Sequence, residues 1–183
     1  MFDAIVFAVI ALGFEARCAL ERDTGGQERL YKILDIIRHC KFGIHDISFM
    51  RVDPKIRLPR YNMAFELGVF LGCYEFGGRQ HAAKSCLILD RDRFRYRKSI
   101  SDLSGRDIKE HKGDPKQAIV RVRDWLATES GPETLVGGRF IAEQYERFRK
   151  QLPRLCTRSK RRTRELTFIE YRGIVASWLR ANS

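Results

Sequence analysis

The segment Phe42–Phe76 constrains the fold of this chain more than any other part of the sequence. It begins with a short apolar stretch, continues through a polar loop with two prolines, and ends in a long apolar run that starts near Asn62. The first run is typical of a buried strand, and the second, with Asn62 as its N-cap, is typical of a helix. Glu66 lies inside that helix between Phe65 and Leu67. A carboxylate in such surroundings needs either a partner or a function.

Apolar segments of two lengths alternate along the rest of the chain. Strands are predicted at Glu15–Leu20, Phe42–Ile47 and Ser85–Asp90. Helices are predicted at Phe2–Leu12 (ended by Gly13), Glu28–Cys40, 62–76, Pro115–Ser130, Phe140–Leu152 and Leu166–Ala181. Strands that alternate with helices indicate an α/β fold with a mostly parallel sheet. We therefore predict a three-layer, flavodoxin-like arrangement with helices on both faces of the sheet.

Positive charge is concentrated in the second half of the chain. The net charge of the 183 residues is +12, of which residues 1–90 carry +1 and residues 91–183 carry +11. We predict an α/β domain over 1–130 and a basic helical extension over 131–183, packed on that domain. The cluster Lys160-Arg161-Arg162 permits an acidic partner such as nucleic acid. Such runs are more often solvated linkers, so nucleic acid is the less favoured partner.

The cysteines and the hydrophobic segments indicate a cytoplasmic protein. The five cysteines are odd in number and far apart, without a CxxC pair, so a disulfide framework and a zinc ribbon are not expected. The longest apolar run, Ala4–Phe14, is too short to span a bilayer. His39 and His45 lack the spacing of metal ligands, and we predict no metal and no membrane partner.

Polar residues follow two of the predicted strands and begin the helix after one of them. Asp46 and Ser48 lie at the end of the first central strand, and Asp90 lies at the end of the next. Ligands of parallel α/β sheets bind beyond the carboxyl ends of the strands. Asn62 and Glu66 open the helix reached from the first strand, so these residues form the predicted site.

Two segments of this region resemble a known signature. Asp46-Ile47-Ser48, then after a loop Asn62-Met63-Ala64-Phe65-Glu66-Leu67-Gly68 and Gly72, is similar to the pattern of nucleoside 2-deoxyribosyltransferase-like proteins. The Toll/interleukin-receptor-like (TIR-like) nucleotide-binding domains of bacteria look similar too. The resemblance covers roughly residues 15–90, about half of the chain.

The resemblance implies a site that acts on a ribosyl or deoxyribosyl group. Glu66 would be its central carboxylate, a nucleophile in the transferases or a stabiliser of an oxocarbenium ion in the NAD-cleaving TIR domains. Asp46 would contact sugar hydroxyls or orient Glu66, and Ser48 and Asn62 would shape the pocket. The remaining predicted substrate-binding residues are Arg60, Phe65 and Asp90. NAD or another nucleotide would be the substrate, with no separate cofactor.

The same chemistry follows from the carboxylate itself. Cleavage of an N-glycosidic bond develops positive charge on the sugar ring, and a nearby carboxylate stabilises that charge. Gly68 and Gly72, four residues apart, are expected to let the helix approach the sheet closely. Members of the resembling families begin with a central strand, whereas Met1 falls directly at the first predicted helix, so we expect that strand upstream of Met1. Its absence would leave an unpaired sheet edge.

Other readings stay open at this point. Glu66 is equally well explained as a structural acid that pairs with Arg60 or another arginine. The domain could also bind a nucleotide without turnover, as a sensing or interaction module whose basic half docks a partner or nucleic acid. The sequence does not decide the oligomeric state, and a homo-oligomer is among the options.

Overall fold

The structure, a computed structural model, describes residues 1–21, 28–50, 57, 61–131 and 135–182. In these ranges the chain forms six α-helices and three strands. The helices are α1 (Phe2–Ala11), α2 (Arg29–His39), α3 (Asn62–Phe76), α4 (Pro115–Ser130), α5 (Gly138–Arg158) and α6 (Phe168–Asn182). The strands are β1 (Phe42–Asp46), β2 (Ser85–Asp90) and β3 (Lys109–Glu110), with short 3₁₀ turns at Arg79–His81, Arg95–Lys98, Ser101–Leu103 and Thr163–Glu165.

The described strands form one parallel sheet in the order β1-β2-β3. In the β1–β2 pair, Phe42 lies opposite Ser85 and Asp46 opposite Leu89. In the β2–β3 pair, Leu89 lies opposite Lys109 and Asp90 opposite Glu110. The prediction of an α/β fold with a parallel sheet is confirmed at this level. The strand predictions at 42–47 and 85–90 and the helix at 62–76 are confirmed within a residue.

The chain divides into two compact units, residues 26–117 and a second unit that joins residues 1–25 to residues 118–183. This grouping differs from the expected boundary at residue 130, because α1 belongs with the C-terminal helices. The units are described separately below.

The unit that contains both chain ends is helical around an aromatic core. The ring of Phe7 in α1 lies 5.3 Å from the rings of Tyr145 and Phe148 in α5 and 6.1 Å from Trp178 in α6. Tyr171 of α6 donates a hydrogen bond of 3.0 Å to the backbone carbonyl of Asp3. Aromatic side chains carry large apolar areas, so these contacts explain why the apolar α1 is a buried helix.

The end of α1 confirms the predicted glycine stop. Gly13 has a φ of +83°, its N–H donates to the carbonyl of Ile10, and the N–H of Phe14 donates to that of Val9. Glycine adopts this left-handed conformation without a steric penalty, which ends the helix.

In the unit of residues 26–117, α3 packs on one face of the sheet. Leu67 of α3 belongs to a buried hydrophobic cluster that includes Ile47, which directly follows β1, and Ile88, which lies in β2. The close approach depends on Gly43 of β1, because a Cβ there would lie 2.8 Å from Phe70 Cε2. The expectation for Gly68 and Gly72 is wrong: a Cβ at either would meet no atom within 4 Å, since both lie away from the sheet.

Lys84, just before β2, ties α2 to the sheet. Its buried amine donates to the backbone carbonyls of Ile37 and Cys40 at the C-terminal end of α2, and it lies 5.2 Å from the centroid of the Phe70 ring. Terminal carbonyls of a helix lack intrahelical partners, and a lysine amine satisfies them. The contact links α2, α3 and the start of β2.

Three local predictions are corrected. Residues 15–20 form no strand, because the arginine Arg172 of α6 binds the carbonyl of Ala16 and the carboxylate of Glu15 where a neighbouring strand would pair. Lys109–Glu110 form the two-residue strand β3, where no strand was predicted. The residue before α3, Tyr61, takes the N-cap position predicted for Asn62, and no side chain caps this helix.

The helix α5 is longer than predicted. α5 continues beyond Leu152 to Arg158 through Pro153, because Leu152 and Cys156 are buried and hold the helix against its neighbours. Within the described ranges, no helix combines the length and the hydrophobicity needed to cross a bilayer. All five cysteines are free thiols.

Candidate functional site

Three polar side chains meet where β1 and β3 end. The backbone N–H of Ser48 donates to Asp46 Oδ1 over 3.0 Å, and Ser48 Oγ lies 2.8 Å from His111 Nε2. His111 Nε2 is also 3.4 Å from Asp46 Oδ1. The carboxyl ends of parallel strands lie at the same edge of the sheet. His111 can therefore contact Asp46 and Ser48, which are more than sixty positions earlier in the chain. We call Asp46, Ser48 and His111 the exit cluster.

The hydrogen bonds of His111 define its tautomer. The backbone N–H of Gly113 donates to His111 Nδ1 over 3.0 Å, so that nitrogen is an acceptor and carries no proton. In a neutral imidazole the proton then lies on Nε2. Nε2–H therefore donates toward Ser48 Oγ and, over the longer distance, toward Asp46 Oδ1. The ring is 2% exposed, so it is held in this orientation.

The exit cluster contains the residue types of a serine hydrolase triad but not its geometry. In such a triad, one ring nitrogen accepts the serine proton and the other donates to the carboxylate. Here Ser48 and Asp46 face the same nitrogen, which already carries a proton, and the other nitrogen is occupied by Gly113. His111 cannot take a proton from Ser48 in this arrangement, so acyl transfer is not the chemistry that the cluster supports.

Asp46 is held as an ionised acceptor. Burial alone would raise the pKa of its carboxyl group, but the hydrogen bonds from His111 and Ser48 outweigh burial and lower the pKa below its ordinary value. Its second oxygen, Oδ2, forms no hydrogen bond within the described part of the chain, and the side chain is 13% exposed. Asp46 can therefore accept a hydrogen bond from a ligand hydroxyl, which is the role the resemblance implies.

Asp90 forms a buried ion pair at the end of β2. Its Oδ1 accepts hydrogen bonds from Arg95 Nε (2.9 Å), Arg95 Nη2 (2.5 Å) and the backbone N–H of Arg91 (2.7 Å). Arg95 Nη2 also donates to the carbonyl of Ile47 over 3.1 Å. The pair links the ends of β1 and β2. Asp90 is 1% exposed, and its substrate-binding role stays a prediction.

Glu66 contrasts with both of these acids. It lies in the second turn of α3, half-buried, and forms no hydrogen bond or ion pair with any residue that the structure describes. Burial raises the pKa of its carboxyl group, and the positive charge of Arg29 offsets this only in part. A carboxylate that is partly desolvated and has no donor is disfavoured in its charged form. The site of Glu66 is thus suited to a positively charged or hydroxyl-bearing ligand.

Asp46 and Glu66 are not brought together. Side chains alternate between the faces of a strand, and the neighbours of Asp46 both pack toward α3: His45 against Phe70, and Ile47 against Leu67. Asp46 therefore points to the opposite face of the sheet from the helix that carries Glu66. The predicted orientation of Glu66 by Asp46 has no contact in the structure, whereas the predicted proximity of Asp46 and Ser48 is present as a hydrogen bond.

The remaining predicted residues are placed as follows. Asn62 is exposed in the first turn of α3, and Phe65, one residue before Glu66, is 56% exposed. Arg60, and with it the proposed pairing to Glu66, lies outside the described residues. Among the described residues, no group of three or more His, Cys, Asp or Glu side chains could hold a metal ion.

Sequence reasoning missed His111 and Arg95. His111 follows a strand of only two residues, too short for a periodic pattern, so nothing marked it as the exit of a third strand. Arg95 belongs to the basic-aromatic segment 91–98, which the pattern presents as a solvated connector. An unpaired acid at the exit of a buried strand was the available signal for a nearby cation.

Comparison with known proteins adds no relative: no family model, no curated protein and no solved structure matches this chain.

Proposed function

We propose that the chain is a nucleotide-binding domain that cleaves the N-glycosidic bond of NAD or a related nucleotide, with Glu66 as the central carboxylate. The proposal includes a three-layer, TIR-like or deoxyribosyltransferase-like arrangement and action in the cytoplasm. Two sequence segments that resemble those families, 46–48 and 62–72, motivate it. It needs no cofactor, because NAD would be the substrate.

The observation that carries the proposal is that the half-buried Glu66 has no hydrogen-bond or ion-pair partner among the described residues. A carboxylate without a donor is disfavoured in a half-buried site, so a fold gains nothing from keeping it there for stability alone. An oxocarbenium-like sugar ring supplies the missing positive charge in the transition state. The attraction then grows as the reaction proceeds, and this difference accelerates the chemical step.

Asp46 supports substrate binding on its own face of the sheet. Its pKa is lowered, so it is ionised at neutral pH, and Oδ2 is open to a hydroxyl donor. A dinucleotide is long enough for one part to contact the exit cluster while another approaches α3. In this proposal Asp46 binds a hydroxyl group of the nucleotide, and Glu66 stabilises the positive charge that develops at the ribosyl carbon.

The test is release of nicotinamide from NAD by the purified protein, followed by chromatography. Glu66→Gln keeps the shape and removes the charge, and turnover should fall by on the order of 100-fold or more, an effect of the size seen when one electrostatic group is removed from an active site. Glu75→Gln is the matched control, since Glu75 is exposed on the same helix and pairs only at 4.0 Å with Arg106. Its turnover should equal that of the unmodified protein.

The dependence of turnover on pH gives a second readout. Glu66 must be ionised to act, so turnover should rise with pH through a pKa above the ordinary 4.5 of a glutamate. Equal turnover in the Glu66→Gln and Glu75→Gln variants would overturn the catalytic role.

Binding without turnover is the second candidate function, and the open acceptor Oδ2 of Asp46 favours it. In that case NAD raises the melting temperature of the protein although no nicotinamide is released. Asp46→Asn should remove most of the shift. Absence of both turnover and a thermal shift, with NAD and with deoxyribonucleosides, would contradict nucleotide recognition as a whole.

A further inference from the structure

The outer face of α5 carries a row of basic side chains. Arg147, Lys150, Arg154 and Arg158 are all exposed and lie three or four residues apart, so they share one side of the helix. At 1.5 Å per residue, the row is about 16 Å long. We call these four residues the α5 stripe. Arg139 extends the same side toward the start of the helix. The acids nearest to the row are Glu143, four residues before Arg147, and Glu146, four residues before Lys150.

No acidic side chain in the described part of the chain forms an ion pair with the α5 stripe. Within the described residues, its four members form no hydrogen bond and no ion pair. The nearby cluster behaves differently, since Arg161 binds Glu170 at 3.0 Å and Arg162 approaches Glu165 at 3.9 Å. Like charges four residues apart destabilise a helix by a few tenths of a kcal/mol per pair. A partner with negative charges would remove this repulsion.

The α5 stripe is presented on a fixed support. The opposite side of α5 contributes six buried residues to the helical unit: Ile141, Ala142, Tyr145, Phe148, Leu152 and Cys156. The ring of Phe148 lies 5.5 Å from that of Trp178 and 5.9 Å from that of Tyr171, both in α6. The four cations are therefore held in a row by a packed helix, in contrast to charges on a solvated linker.

We propose that the α5 stripe binds the phosphate backbone of double-stranded DNA. Duplex DNA carries one negative charge for about every 1.7 Å of its axis, counted over both strands, so about nine negative charges lie within the length of axis that the row spans. The complementarity is one of charge, and phosphate contacts carry no sequence information. Binding should therefore be independent of base sequence. This inference does not rest on the proposed function of Glu66.

Other anionic partners fit the α5 stripe less well. A helix that lies on a membrane needs apolar side chains beside its basic face, but between Arg147 and Arg158 the fully exposed residues other than Pro153 are polar or charged. A specific protein interface needs a desolvated apolar centre, which the stripe also lacks.

The experiment measures binding of a fluorescent 20-base-pair DNA duplex by anisotropy at 50, 100 and 200 mM salt. The test variant replaces Arg147, Lys150, Arg154 and Arg158 by Gln, a good helix former. The control variant replaces four exposed cations elsewhere, Arg38, Arg79, Lys98 and Arg180, by Gln. Both variants lose four positive charges, so the net charge is matched. Circular dichroism checks that both retain their helices.

The unmodified protein should bind two duplexes of unrelated sequence equally, with an affinity that falls steeply with salt. Each lost phosphate contact lowers the slope of log affinity against log salt by about 1. The test variant should therefore lose about 4 from that slope and bind at least about tenfold more weakly at 50 mM salt, while the control changes about threefold or less.

Two results would overturn the proposal. Equal weakening of the test and control variants would assign binding to the overall charge of the protein instead of the α5 stripe. Tighter binding to a 20-base-pair RNA duplex, or to vesicles that contain phosphatidylserine, would assign the stripe to a different partner. If the test variant loses helix content, the single variants Lys150→Gln and Arg154→Gln are measured in its place. Each of them should lower the slope of log affinity against log salt by about 1.

Discussion

Asp46 and Glu66 lie in the same unit, but their carboxylates have opposite hydrogen-bonding environments. Asp46 receives hydrogen bonds from Ser48 and His111, and its pKa is lowered. Glu66 receives none from the described residues, and burial raises its pKa. An acid with donors contributes to stability, whereas an acid without them is retained for another reason. We therefore expect the functional acid to be Glu66, which has no donor among the described residues.

The largest effect on stability should come from removing His111, which supports Asp46. His111→Ala deletes a ring that is 2% exposed together with its contacts to Ser48 and Gly113. We expect the free energy of unfolding to fall by about 3 kcal/mol. His39→Ala is the control, because His39 is exposed, and its cost should stay below about 0.5 kcal/mol. Equal costs in urea denaturation would show that the exit cluster does not stabilise the fold.

A smaller loss is expected when the charge of Asp46 is removed. Asp46→Asn keeps the shape but weakens hydrogen bonds that a charged acceptor makes stronger, so it should cost about 1 kcal/mol. The double variant with His111→Ala should cost less than the sum of the two single variants, because the two residues share one contact. Strict additivity would indicate that the 3.4 Å contact between them contributes nothing.

The contributions of Asp46 and Glu66 to the free energy of unfolding should change with pH in opposite directions. The stability that Asp46 contributes is lost as the pH falls through its lowered pKa, below the ordinary 3.8. For Glu66 the folded state binds the proton more tightly than the unfolded state, so stability is lost as the pH rises from 4.5 through the raised pKa. Comparing Asp46→Asn and Glu66→Gln with their parent from pH 3 to 7 measures both signs. If both substitutions change the pH dependence of stability in the same direction, the proposed contrast between the two acids is wrong.

The pH series needs a background without His45. Burial lowers the pKa of His45 from 6.5 to about 4, so its protonation destabilises the folded protein as the pH falls through that interval. Its two ring nitrogens are buried and form no hydrogen bond with any residue that the structure describes. His45→Leu removes this titration and is the parent protein for the series.

The smallest effect should be that of Glu66→Gln on stability. Because no described residue binds the carboxylate, a neutral amide should leave the free energy of unfolding unchanged within about 0.5 kcal/mol, or raise it slightly. Thermal and urea unfolding of the purified variant measure this directly. A loss above 1 kcal/mol would identify Glu66 as a structural acid, the alternative considered from the sequence.

The sequence predicted the parts of the fold that have long one-sided patterns. α3 and β2 were predicted correctly because their apolar runs are long and end at glycines or acids. The neighbourhood of Asp46 and Ser48 is local, so their contact was predicted as well. His111 joins them only through the third strand, 63 residues beyond Ser48, and no local pattern encodes such a contact.

The glycines of α3 and β1 show the same limit of prediction from local sequence patterns. Gly68 and Gly72 have the spacing of a packing face, yet both point away from the sheet, and the required glycine is Gly43 on the strand. Which side of a uniformly apolar helix faces the core depends on the surface it meets. That surface is assembled from distant segments, so helical spacing alone could not select it.

The buried amine of Lys84 has a consequence for how this unit opens. It binds the last carbonyls of α2, precedes β2 directly and contacts the ring of Phe70 in α3. Three segments that are separate in the chain thus share one charged group. Unfolding of α2 would remove both carbonyl partners of the buried Lys84 amine, so we expect the end of α2 and the start of β2 to exchange their amide hydrogens together. Lys84 thereby couples the local unfolding of α2 to that of β2.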